Sequence, residues 1–113
     1  MNRDVAAGFQ EVAAQLPPNF EAFQSEALAA GCDEALVREW QPNAVPNAHT
    51  HRFGVEAIVV RGEMWLTGTG GDRTWHLTPG GTFRLAAGTL HGERYGQEGA
   101  TYWVGRRQVP APC

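Results

Sequence analysis

From residue 34 onward the chain is cut into short extended segments, EALVREW, GVEAIVVR, EMWLTG, RTWHLT, TFRLA and ATYWVGR, separated by glycine and proline turns. Helices do not fit between breaks spaced so closely, whereas short strands joined by reversals do. The pattern therefore predicts a mainly β domain, a sandwich or a small barrel. Arg61-Gly62-Glu63 reads as a tight reversal between two strands, and GTGGDR, Gly68 to Arg73, as a looser hairpin loop. That glycine cluster lacks the last glycine of a dinucleotide fingerprint and has no helix signal after it.

The first third follows a different period. Phe9, Val12, Ala13 and Leu16 fall on one face of a helix, which Pro17-Pro18 ends. Asn19 is placed to cap a second helix carrying Phe20, Phe23, Ala27 and Ala30 on one side, with Gly31 closing it in a left-handed turn. Helices this short do not stand alone, so they are expected to cover a sheet or a partner subunit. The expected organisation is a helical segment over 1–33, a β-barrel over 34–109 and a loose tail. With 113 residues and 42% apolar composition, the chain is sized for one domain.

Charge and residue usage remove several classes of function. The net charge of -3 gives no basic field for nucleic acid or an anionic membrane surface. No apolar run approaches the roughly 20 residues of a membrane helix. The chain contains no lysine, which leaves Schiff-base chemistry without a side-chain amine. Ser25 is the one serine, and it has neither a histidine nor a glycine elbow beside it, which argues against a serine hydrolase. Cys32 and Cys113 have no metal-like spacing, and the opening MNRDVAAGFQEV lacks the pattern of a secretory signal, so a cytoplasmic protein is expected.

Chemistry then falls to the histidines, His49, His51, His76 and His91. Residues two apart on a strand share a face, which sets His49 and His51 about 6.6 Å apart, close enough for both imidazoles to reach one ion. Glu56 follows, in phase with Ile58 and Val60. A bare carboxylate among aliphatic residues is costly to bury, and a cation would supply its counter-charge. His91 arrives after another strand and turn to complete the set. Three imidazoles and one carboxylate suit one divalent transition metal, iron, manganese, nickel or zinc, rather than calcium or magnesium. His76, within RTWHLT, has no ligand-like partner in sequence and reads as an ordinary strand residue.

HTHRFGVEAIVVRG, His49 to Gly62, resembles the first motif of the cupin superfamily, and GGTFRLAAGTLHGERY, Gly80 to Tyr95, resembles the second. The likeness spans about Glu34 to Arg107. It implies a double-stranded β-helix, the jelly-roll barrel, with an ion in its mouth held by His49, His51, Glu56 and His91. The departures are Asn43 near the place of the opening glycine, a Glu56 to Gly62 spacer one residue short, Ala86 for the proline of the second motif, and Tyr95 for its usual asparagine. None alters a ligand.

A metal bound in this way keeps positions open for substrate, which points to a metal-dependent enzyme acting on a small molecule, a dioxygenase or a Lewis-acid lyase or isomerase. If GERY runs extended, Glu93 and Tyr95 share the face of His91 and either can move a proton there. A non-catalytic sensor or small-molecule-binding cupin is the alternative. Trp65, Trp75, Phe83, Tyr102 and Trp103 are read as barrel wall. Val55, Ala57 and Val59 make the second face of the metal strand apolar too, and a homodimer is expected to help cover it.

Overall fold

The computed structural model describes residues 16–47, 50, 52–68 and 73–108. The expected first helix and the paired histidines His49 and His51 lie outside them, apart from Leu16. One helix, α1 (Phe20–Ala29), precedes five strands: β1 (Glu34–Trp40), β2 (Phe53–Thr67), β3 (Thr74–Leu77), β4 (Thr82–Leu85) and β5 (Gly92–Gln108). All pairings are antiparallel, in the order β1-β5-β2-β3, with β4 also paired to the first half of β2. The strands form a jelly-roll barrel. No described helix is long and apolar enough to cross a membrane.

Two long strands replace three of the expected short ones. Arg61-Gly62-Glu63 does not reverse the chain, because β2 runs straight through it and pairs with β5 on both sides. The register shifts between Val59 and Arg61 and again between Gly62 and Met64. Gly62 and Gly99, at φ +77 and +71, lie opposite one another at these bulges. Extra residues in a ladder change which side chains face inward. On β2 the buried set accordingly passes from Val55, Ala57 and Val59 to Met64 and Leu66, and on β5 from Glu93 and Tyr95 to Ala100, Tyr102 and Val104. Each strand thereby keeps a face on one continuous core with Leu77, Phe83 and Leu85. The GTGGDR segment does join a hairpin: β2 and β3 are paired up to Thr67 and Thr74, and the Gly68 N–H donates to the Arg73 carbonyl at 3.0 Å.

Helix α1 packs on β1 and on the outer face of β5. Asn19 caps the helix, its Oδ1 accepting from the Ala22 N–H at 2.8 Å, and Gly31 leaves it at φ +106. Phe20 and Phe23 pack on the Trp103 ring, each at 5.9 Å between centroids. Further along, Ala27 and Cys32 lie so close to Gly105 that a Cβ there would stand 2.8 Å from the Cys32 Sγ. Glycine at 105 is what lets the helix approach.

Candidate functional site

The turn after β4 delivers His91 into the barrel. The Thr89 N–H donates to the Ala86 carbonyl at 3.2 Å, Gly88 takes φ +83, and the chain then enters β5. Strand alternation places His91, Glu93 and Tyr95 on the inner face, where they are 1%, 7% and 1% exposed. The three form a chain of polar contacts. His91 Nδ1 meets the Thr89 carbonyl at 3.1 Å, and its Nε2 lies 3.0 Å from Glu93 Oε2. The Tyr95 hydroxyl donates to the other carboxylate oxygen, Oε1.

Proton counting on His91 is informative. A carbonyl only accepts, so Nδ1 carries a hydrogen; the carboxylate on the far side is also an acceptor. Neutral imidazole has one N–H and cannot satisfy both. Three arrangements satisfy the contact: a second proton on His91, a metal ion beside Nε2, or a protonated Glu93 carboxyl that donates to Nε2. Burial alone lowers the His91 pKa, but the Glu93 carboxylate and the Thr89 carbonyl outweigh it and hold the net value above the usual histidine range. Burial, with the Tyr102 and Glu93 neighbours, raises the Tyr95 phenol far beyond its ordinary range and keeps it a donor at neutral pH.

His91 and Glu93 sit in the wall of a cavity of about 430 Å³ including its open mouth, with Tyr95 hydrogen-bonded to Glu93 behind them. Strand β1 contributes Arg38 and Trp40, β2 Phe53 and Val55, β4 Phe83 and Leu85, and β5 His91, Glu93, Tyr102, Val104 and Arg106. The Trp40 ring stacks on Tyr95 at 5.1 Å. Burial and the Glu93 charge raise the Tyr102 phenol, and the nearby Trp40 indole N–H offsets only part of that rise, completing no hydrogen bond of good geometry although it is buried. Arg106 pairs with Glu34 at 3.2 Å and lies over the Phe53 ring. Arg38 lies 5.4 Å from the centre of the Trp40 ring and has no carboxylate partner among the described residues.

The sequence-expected site residues divide. His91, Glu93 and Tyr95 come together. Glu56 does not join them: its neighbours Val55 and Ala57 are buried in the core, Val55 lining the cavity, and alternation turns Glu56 to the other face. There it accepts from Arg107 at 3.0 Å and faces Arg84 at 3.8 Å, so guanidinium groups meet the carboxylate's need for counter-charge. His49 and His51 are outside the described residues. His76 is on the exterior, 2.7 Å from Glu63 and stacked on Trp65 at 4.6 Å. Phe83 and Tyr102 are cavity wall, whereas Trp65 and Trp103 pack outside the barrel. Arg38, Trp40 and Arg106 went unrecognised in the sequence, although the spacing of Leu36, Arg38 and Trp40 on one face of β1 was available as a signal.

Among the described residues no three His, Cys, Asp or Glu side chains converge as a metal cluster. The donor chemistry nevertheless fits an ion in part: His91 Nε2 and a Glu93 carboxylate oxygen lie side by side in a buried, polar corner, an imidazole and a carboxylate that one transition-metal ion could take as ligands.

The architecture matches solved structures. One is a crystal structure of the DMSP lyases RdDddP and RnDddQII, with TM-score 0.62 and 20% identity over 69% of this chain and 40% of that one. Another is an RmlC-like cupin from Shewanella frigidimarina NCIMB 400, with TM-score 0.56 and 23% identity over 65% of this chain and 64% of that one. A third is oxalate decarboxylase of Bacillus subtilis, studied for its Mn(II) centres, with TM-score 0.58 and 18% identity over 72% of this chain and 22% of that one. The match thus spans less than two thirds of each of these longer chains, and the likeness is one of fold. No protein-family model matches the chain, and no curated protein matches it by sequence.

Proposed function

We propose that the chain, which has the cupin fold, is a metal-dependent enzyme that moves a proton on a small molecule held in the barrel mouth, in lyase or isomerase chemistry. The observation that carries this reading is the buried array in which His91 and Glu93 line the cavity and Tyr95, behind them, donates to Glu93. His91 would hold the ion through Nε2, with His49 and His51 as the further imidazoles. Glu56 is left out of the set, being committed to Arg107 on the other face. Bound there, a divalent iron, manganese, nickel or zinc ion supplies Lewis-acid polarisation of a substrate oxygen.

The chain's own groups account for the proton. Glu93 Oε2 is the acceptor beside His91, and Tyr95 fixes the carboxylate by donating to Oε1, leaving Oε2 turned toward the imidazole. Phe53, Val55, Phe83 and Leu85 keep the walls dry, which strengthens electrostatic interactions inside. A lyase and an Mn(II) decarboxylase among the structural neighbours accord with this reading.

The test combines elemental analysis of protein purified without chelator with product detection by NMR over a panel of small acids and esters. The wild type is expected to carry close to one transition-metal ion and to turn over part of the panel. His91→Ala should lose the ion, whereas Glu93→Gln should keep it and lose turnover. Wild-type protein that neither carries nor takes up a transition metal overturns the proposal.

A further inference from the structure

We infer that the cavity selects a small molecule bearing one carboxylate and an apolar body, with Arg38 as the group that receives the carboxylate. This deepens the reading above by naming its substrate class and rests on the same cavity. Arg38 lines that cavity, is half-buried, and has no carboxylate partner among the described residues. By contrast, Arg106, Arg107 and Arg84 each face a carboxylate of the chain. A guanidinium lining a cavity with its fork uncommitted is matched in shape and charge by a planar carboxylate.

A second donor points the same way. The Trp40 indole N–H, two residues along the same face of β1, is buried without a completed hydrogen bond. A buried donor of this kind gains from an incoming acceptor oxygen. Glu93 lines the same cavity, and its negative charge disfavours a dianion such as phosphate and leaves a single negative charge as the better match. Beside the polar tips of His91, Tyr102 and Arg106, the walls formed by Phe53, Val55, Phe83, Leu85 and Val104 are apolar and suit an alkyl or aryl body.

The experiment uses three probes that share a branched alkyl group: isovalerate, isovaleramide and isobutylphosphonate. Binding to the full-length protein is followed by calorimetry in metal-loaded and chelated samples, with metal content measured in parallel. Isovalerate is expected to bind wild type about tenfold or more tighter than isovaleramide, as a charge-assisted bidentate contact implies. Arg38→Gln should abolish that preference with metal content unchanged, and Arg38→Lys should restore part of it. Circular dichroism confirms that the variants are folded.

Failure has a distinct signature for each idea. Equal binding of acid and amide, no binding of either, or a preference that survives Arg38→Gln overturns the assignment to Arg38. Phosphonate bound more tightly than isovalerate overturns the carboxylate class. A preference that depends on Arg38 in a protein with no metal sustains this inference and removes the metal-dependent one.

Discussion

Glu93 and Glu56 show how far single residues could be interpreted before the structure. Glu93 was legible because it stands two positions from His91, and any extended backbone places both on one face. Glu56 was not, because its phase against the cavity depends on which face of β2 turns inward. That choice was made by Val55, Ala57 and Val59, and by arginines from β4 and β5 whose proximity no local pattern announces. The Tyr95 hydroxyl has a defined energetic role: it donates to a carboxylate that is itself buried. Tyr95→Phe keeps the ring stacked on Trp40 and deletes only that donor. The expected loss is about 1–3 kcal/mol, the range for leaving a buried acceptor short of a partner. Urea unfolding monitored by tryptophan fluorescence measures it, and an unchanged midpoint would show that Glu93 does not depend on the phenol.

At the scale of elements, strand identity was readable and strand continuity was not. The sequence marks Gly62 as a break, and glycine at positive φ serves a bulge as readily as a turn. What decides between them is the partner: β5 supplies a matching irregularity at Gly99, far away in sequence. A Cβ on Gly62 would run into the Gly99 carbonyl oxygen and stand 2.8 Å from the Ala100 Cα, both backbone atoms that cannot swing aside. Gly62→Ala is therefore expected to destabilise the fold by roughly 2–4 kcal/mol, combining left-handed backbone strain with overpacking. Chemical denaturation gives the value. A loss below about 1 kcal/mol, the scale of a permissive surface position, would argue against the close paired bulge. The α1 cap, by contrast, was fully legible, since Asn19 and Gly31 act through local geometry alone.

For the whole molecule, the question is how one small chain covers both faces of its longest strands and still leaves a polar corner at the centre. The barrel interior takes Val55, Ala57 and Val59, while α1 closes over Trp103 and Gly105 outside. The apolar surplus that called for a second subunit is thus covered within the chain. The motive for a homodimer that remains is the edge of β1 away from β5, which pairs with no strand among the described residues and presents Val37, 44% exposed.

The polar corner has a thermodynamic consequence for the entire fold. A ligand that binds only the native state at one hundred times its dissociation constant stabilises it by about 2.7 kcal/mol. In a domain near this size each kcal/mol shifts the melting temperature by roughly 4–8 °C, so adding metal to chelated protein should raise it by roughly 10–20 °C. His91→Ala is expected to melt at the same temperature with and without metal. Glu56→Gln should retain the full rise, because its carboxylate serves a part-exposed arginine contact whose loss is worth at most about 1 kcal/mol. Scanning calorimetry on the three proteins, chelated and then loaded, separates the alternatives: a rise abolished in Glu56→Gln but retained in His91→Ala would place the ion outside the cavity and relocate the site to the arginine-lined outer face.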